Sequence, residues 1–400
     1  MHVLHIIDSL HGGGAETSLV EVVPGLRSRG VRISIATLFP DDGVFDEQLK
    51  ELGVVHVRLV GNPVRRISEL RSVIRSLKPD LVNTTLLFSN LAGRVATRGV
   101  RTPVVTTLAN QDYGPEHRAN SRYGSWSVRA VQGLDMISSP LTVRFHAVSE
   151  DVARVMSSRL RISSNRISVV HRGRDPARLG VPSMDRRLRA RALLQLHQTA
   201  PVVLSVGRLD LQKGIETTID AFRHLRTRMP DAVLLIAGRP GNAADAVRAE
   251  AERMPSIRLL GHRTDAPDLM CAADALSFPS RWEGLSGALV EAMALRLPIV
   301  ASEIPSVAET IGDVGWPLVQ PDDARALADG LLSVLRGGEV NEARKDAGQK
   351  RFQRLFTADA AAEGMASLYW EVLREYRNEN WSKQEGRLFI GASRRWLRKS

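Results

Sequence analysis

Residues 201–214 read Pro-Val-Val-Leu-Ser-Val-Gly-Arg-Leu-Asp-Leu-Gln-Lys-Gly, and the order of these residue types decides the fold. Val202 to Val206 form a short apolar run, Gly207 ends it, a polar loop follows, and a helical pattern begins beyond Gly214. A run of that length bounded by turn residues reads as a strand buried on both faces. The same unit recurs downstream at 232–237, 257–260, 275–278 and 298–301, and upstream at 2–8, 31–38, 54–58, 80–83, 103–107 and 145–148. Helical patterns lie at 15–29, 67–77, 89–98 and 149–160, then at 322–335 and about 358–377. Strands alternating with helices predict βαβ units, mainly parallel sheets and an α/β fold.

The alternation breaks once. Residues 172–191 are polar and Arg-rich, with Pro176 and Pro182, and read as a linker between two doubly wound domains. The expected division is 1–175, a linker at 176–195, 196–365, and a closing helix with a basic amphipathic tail at 366–400. A chain of 400 residues exceeds the roughly 100–200 that one core usually supports, which agrees with two domains. In such sheets ligands bind beyond the carboxyl ends of the strands, so two domains face to face place function in the loops along a cleft.

Composition narrows the function classes. With 43% hydrophobic and 25% charged residues, the chain is neither disordered nor collagen-like. Cys271 is the single cysteine, which excludes an intramolecular disulfide and any multi-cysteine metal cage. No apolar run approaches the roughly 20 residues of a membrane span. The first residues lack the pattern of a secretory signal, so a cytoplasmic location is expected. The net charge of +11 is uneven: residues 1–180 hold 24 Lys/Arg against 16 Asp/Glu, residues 181–378 hold 25 against 26, and residues 379–400 hold 6 against 2. A basic first half and tail favour anionic partners on one side. Arg65, Arg66, Arg71 and Arg75, with the Trp- and Arg-containing tail from Trp381 to Ser400, suit peripheral contact with an anionic inner membrane face. A nucleic-acid partner is not expected, because no reader motif is present and aromatic residues make up 5%.

Three segments carry chemistry. Gly12-Gly13-Gly14 follows the first strand and opens a helix, where close backbone approach and free amides suit a phosphate or developing anion. A dinucleotide fingerprint would need G-x-G-x-x-G and an acid closing the second strand; Thr17 stands at the third glycine position and that strand runs into Phe39-Pro40. Arg208 and Lys213 share one loop after Gly207 and can converge on a diphosphate, a planar fork beside a compact charge. Glu283-Gly284-Leu285-Ser286-Gly287 leads into a helix carrying Glu291. Carboxylates accept from sugar hydroxyls while amides at a helix N-terminus favour an anion, so this segment suits a nucleotide sugar. No D-x-D triplet is present, and neither a metal nor a cofactor is expected.

On these residues the chain resembles the retaining glycosyltransferases of family 4, whose GT-B fold sets two Rossmann-like domains around a cleft. Glu283 and Glu291 match the family's E-x7-E pair, Arg208 and Lys213 its G-R-L-x4-K-G clamp, and Gly12 to Gly14 its glycine loop. The resemblance implies that Glu291 holds the donor ribose, that Glu283 lies near the transferred sugar, and that Ser286 and Gly287 contact sugar or phosphate. Gly207 and Gly238 join the donor-binding set, with Arg208, Lys213 and Glu283 as catalytic residues. Two positions depart from the family pattern. Val-His-Arg-Gly-Arg-Asp at 170–175 replaces P-N-G-x-D, keeping Gly173 and Asp175, and Ala109 stands where many members carry a histidine, with Asn110, His11 or His117 as substitutes. The implied reaction moves a sugar from a nucleotide diphosphate donor to a glycan, polyprenyl-linked or phospholipid acceptor. A sugar-nucleotide epimerase or phosphorylase of similar shape is the alternative enzyme class, and a basic nucleic-acid-binding protein the non-enzyme one.

Overall fold

A computed structural model describes residues 1–115, 118 and 124–396, with side chains described at all of these except 63, 125 and 379–396. Two parallel sheets organise the chain. The first has strands β1 (His2–Ile7), β2 (Arg32–Thr37), β3 (Val55–Arg58), β4 (Leu81–Thr85), β5 (Val104–Leu108), β6 (Arg144–Ala147) and β7 (Ile167–Val169), in the spatial order 3-2-1-4-5-6-7. The second has β8 (Val202–Val206), β9 (Val233–Ala237), β10 (Ile257–Gly261), β11 (Ala275–Phe278), β12 (Ile299–Ser302) and β13 (Leu318–Val319), in the order 10-9-8-11-12-13. Both orders reverse beside their first strand. That switch opens a crevice at the carboxyl end of the sheet, between β1 and β4 in one domain and between β8 and β11 in the other.

Every strand expected from sequence is present. β7 and β13 are additional, three and two residues long; edge strands this short carry too few residues for an apolar pattern. The expected linker is not irregular. It folds into helices Pro176–Leu179 and Met184–Leu193, N-capped by the side chains of Asp175 and Ser183. The second helix docks on the second domain through Arg191, which is fully buried. Its guanidinium meets Asp274 Oδ2 at 2.6 Å and donates to the carbonyls of Ala272, His197, Gln198 and Ala200. The sequence carries no local sign of this docking, because the acid, Asp274, lies 83 residues from Arg191.

The chain crosses between domains twice, side by side. At 170–175 it leaves the first domain, and at 356–358 it returns: Arg174 N donates to Phe356 O and Ala358 N to Arg174 O, both at 2.8 Å. Gly173 is pressed so close that a Cβ would lie 2.1 Å from Thr357 O. The closing helix Ala358–Trp396 then completes the first domain's core. Ala361, Ala362, Met365, Leu368, Tyr369, Val372 and Leu373 pack with Leu19, Val20, Val23 and Leu26 of helix Gly14–Ser28, a spacing that keeps one face inward.

A buried polar chain links that helix to the sheet and the crossover. Asn83 Nδ2 donates to the Tyr369 hydroxyl (3.1 Å) and to His5 Nδ1 (3.2 Å), while the Thr107 hydroxyl stands between Asn83 Oδ1 and His146 Nδ1. His146 Nε2–H donates to Val170 O at 2.9 Å. Burial holds both imidazoles neutral, pushing His5 down to about 3 with help from His146, and His146 to about 4.

Tyr369→Ala is expected to cost about 3–5 kcal/mol in urea-melt stability, against about 1 kcal/mol for Tyr369→Phe, which deletes only the hydroxyl. Because the unfolded chain binds protons at His5 and His146 that the folded chain refuses, stability falls as pH drops from about 6.5 towards about 4. His146→Asn should flatten that decline in a series of denaturant melts from pH 7 to pH 4.

Candidate active site

Loops after β8 and β11, the strands flanking the second domain's switch point, hold the two strongest sequence signals. Lys213 Nζ meets Glu283 Oε1 at 2.5 Å and lies 5.4 Å from the centre of the Phe278 ring. Glu283 is nearly buried, at 6% exposed. Arg208 shares the loop after β8 with Lys213. Its side chain is 65% exposed and pairs with neighbouring Asp210, so the expected clamp stands with one arm drawn in and the other at the mouth. Gly207 N donates to Ala237 O, and a Cβ on Gly238 would lie 1.7 Å from Gly207 O. Gly238 is thus packed against the clamp loop.

Ser286 caps helix Gly287–Ala294 by position, with no side-chain hydrogen bond to the helix. Behind that end sits Arg174, only 4% exposed. Its Nε donates to Glu291 Oε1 at 2.7 Å and its Nη1 to the Ser18 hydroxyl at 2.5 Å. Arg178 also reaches Glu291 Oε1, at 3.4 Å, and pairs with Glu21. Among the described residues nothing donates to Glu291 Oε2. The Arg174 Nη2 lies where a Cβ on Gly287 would come within 1.9 Å; only glycine lets this guanidinium lie across the helix start. Burial raises the Glu21 carboxyl above its usual range, against the pull of Arg174 and Arg178.

The first domain supplies the opposite wall. A Cβ on Gly14 would sit 3.8 Å from Arg174 Nη2, and one on Gly12 3.7 Å from Arg239 Nη2. The glycine loop therefore faces second-domain and crossover arginines. Glu16 folds back against Gly13, its carboxylate 2.5 Å from where a Cβ would be, and places a negative charge at the helix start that was read as an anion seat. Across the cleft, a Cβ on Gly284 would lie 2.2 Å from Ala109 O, and the Ser149 hydroxyl donates to Gly284 O at 2.9 Å. The Ala109 backbone is thus beside the Glu283 turn. Asn110 Oδ1 accepts from Gln111 N, and His11 faces Asp42 at 3.5 Å. His117 lies outside the described residues.

The domains are also joined at Glu309. Its carboxylate accepts from the amides of Glu150 (2.8 Å) and Asp151 (3.1 Å) and meets His171 Nε2 at 3.0 Å. Burial opposes its charge, but His171 and the two amides outweigh burial and hold the carboxyl below its ordinary range. Sequence reasoning missed Arg174, Arg178, Ser18 and Glu21 as site residues. The signal was the departure from P-N-G-x-D, since an arginine beside Gly173 needs a carboxylate somewhere in the fold.

Of the proposed lipid-facing arginines, Arg71 donates to the carbonyls of Val95 and Ala96, Arg66 lies over the Phe39 ring and Arg65 pairs with Glu69; Arg75 is exposed. The tail side chains from Trp381 onward lie outside the described ones. Among the described residues no helix is long and apolar enough to cross a membrane, and no three His, Cys, Asp or Glu side chains are grouped to hold a metal ion.

Comparison with known proteins agrees with this geometry. Residues 12–178 match the Glycosyltransferase Family 4 model and residues 200–337 the Glycosyl transferases group 1 model. The chain is 25% identical to a glycogen synthase of Mycobacterium tuberculosis, covering 94% of this chain and 91% of the relative. It is 27% identical to the lipopolysaccharide core biosynthesis mannosyltransferase LpsB of Rhizobium meliloti, covering 90% and 95%. In structure it resembles Anabaena HepE, solved with UDP-glucose, with a TM-score of 0.80 at 20% identity over 93% of this chain and all of that one. A cleft lined by two switch-point loops and a glycine turn, together with family matches to both halves, shows that the chain belongs to the GT-B glycosyltransferases, with a family 4 first domain and a group 1 second domain.

Proposed function

We propose that the second domain, residues 196–365, binds a nucleoside diphosphate sugar in this cleft and that the first, residues 1–175, presents a glycan or lipid-linked acceptor, with retention at the anomeric carbon. The observation that carries this reading is the Lys213–Glu283 pair at 2.5 Å beside the start of helix Gly287–Ala294. The barrier is departure of an anionic diphosphate from an oxocarbenium-like centre, and fixed cations and amides aimed at that phosphate lower it most.

Lys213 is held ready by Glu283 and exchanges it for phosphate when a donor enters. Arg208 closes from the mouth as the second cation, and the amides beyond Ser286 and Gly287 complete the anion seat, facing Gly12 to Gly14. Glu283 is then free for a hydroxyl of the transferred sugar. Glu291, fixed through one oxygen by Arg174, offers the other to the ribose. Gly207 and Gly238 shape the floor. This charge set balances the leaving group without a metal, and no cofactor enters. The names of the relatives support glycan and lipid acceptors: a lipopolysaccharide core mannosyltransferase, a glycogen synthase and, at 36% identity over 38% of this chain, a phosphatidyl-myo-inositol mannosyltransferase of Mycobacterium tuberculosis.

Peripheral membrane contact through the first domain is part of the same proposal. Trp126 and Ile137, each 79% exposed, and Leu134, 58% exposed, stand on helix Gly124–Ser138 with exposed Arg129, an apolar and basic mix suited to an anionic surface.

Product analysis tests the reaction: a new glycosidic bond is expected, whereas an altered free nucleotide sugar would mean an epimerase and a sugar phosphate a phosphorylase. Lys213→Ala should lower turnover by about tenfold or more with the fold intact; a wild-type rate would remove Lys213 from the mechanism. Among UDP, GDP and ADP, one should raise the melting temperature by mass action.

A further inference from the structure

Among the described residues, one charge beside the cleft has no partner. Arg172 follows β7 in the first crossover, and among the described residues it makes no hydrogen bond and no ion pair, although its Nη2 is buried. Each of the other cations lining the cleft is matched: Arg174 and Arg178 with Glu291, Lys213 with Glu283, Arg208 with Asp210, Arg239 with Asp42. Arg172 instead stands in the fields of Glu16, from the glycine loop, and Glu283, from the opposite domain, with Arg174 as a like-charged neighbour. Burial and Arg174 push its guanidinium down to about 10 from its ordinary range, and the two acids only partly restore it.

A guanidinium with a buried nitrogen and no hydrogen-bonded counter-charge is costly, and arginine keeps its proton in proteins. The position between Glu16 and Glu283 is where the reacting end of a donor lies if the reading above holds, on which this inference rests. We infer that Arg172 is an oxyanion-binding residue of this cleft, which takes a phosphate or carboxylate oxygen of the bound sugar nucleotide. The planar fork suits either anion. The anion has two sources: the diphosphate, for which Arg172 is a third cation beside Arg208 and Lys213, or a carboxylate on the transferred sugar, which would make Arg172 a selector for acidic sugars.

Calorimetric titration of the full chain separates these. Wild type is titrated with UDP, GDP and ADP, then with the glucose and glucuronate conjugates of the nucleotide that binds, and the series is repeated on Arg172→Gln and Arg172→Lys. Arg172→Gln should weaken binding roughly 10- to 100-fold, in line with loss of a charge-assisted pair, and Arg172→Lys should recover part of it. An equal loss for the nucleoside diphosphate and both conjugates assigns the diphosphate; a loss confined to the glucuronate conjugate assigns the carboxylate. Should Arg172→Gln fail to fold, Arg172→Lys, which keeps the charge and loses the fork, must still weaken one probe. Unchanged affinities for every probe that wild type binds would overturn the inference and leave the donor reading standing. If wild type binds none of them, the donor reading falls and this inference with it.

Discussion

The Arg174 guanidinium is the joint of the molecule. It sits in the crossover, donates to Glu291 in the second domain and to Ser18 in the first, and its backbone pairs with the returning strand at Phe356 and Ala358. A buried arginine must have its counter-charge and its hydrogen bonds arranged around it, so this side chain fixes the relation between the Glu291 helix, the helix after the glycine loop and both passes of the chain. Two glycines follow from it, since only Gly287 lets the guanidinium cross the helix start and only Gly173 lets the two passes lie in contact. An ion pair that belongs to neither sheet thus holds one side of the cleft in place.

Around that joint, charges are arranged in exchangeable pairs. Lys213 and Glu283 satisfy each other at 2.5 Å, which lowers the cost of keeping both in a nearly buried place. Arg208 rests on Asp210 at the rim. Such pairing trades internal partners for ligand partners, so the cleft is never left with several naked charges at once. The Glu309 carboxylate, bound to two amides at the start of helix Glu150–Leu160 and to His171, also joins the domains.

Much of this was legible in the sequence, because strands buried on both faces read as apolar runs and each key loop follows one directly. Lys213, Glu283, Ser286, Gly287 and Glu291 are within two short segments whose strands lie side by side at the switch point, which is why a local reading singles them out together. What sequence reading lost was long-range pairing of arginines. Arg191 in the expected linker and Arg174 in the crossover carry no local sign of their acids, since Asp274 and Glu291 are 83 and 117 residues away. How far Arg208 turns towards Lys213 is a side-chain direction that loop spacing does not determine.

The closing helix has a consequence for how the molecule comes into being. The inner face of the first sheet and the helix after the glycine loop are covered by residues near 361–373, which leave the ribosome long after β7 is made. At about 5–20 residues per second, the first half waits roughly 10–40 s for its last layer. During that interval Leu19, Val23 and Leu26 share a core with Val3, Ile7 and Ile33 but not yet with Ala362, Leu368 and Tyr369, so the core of the first domain stays incomplete until the chain is nearly finished.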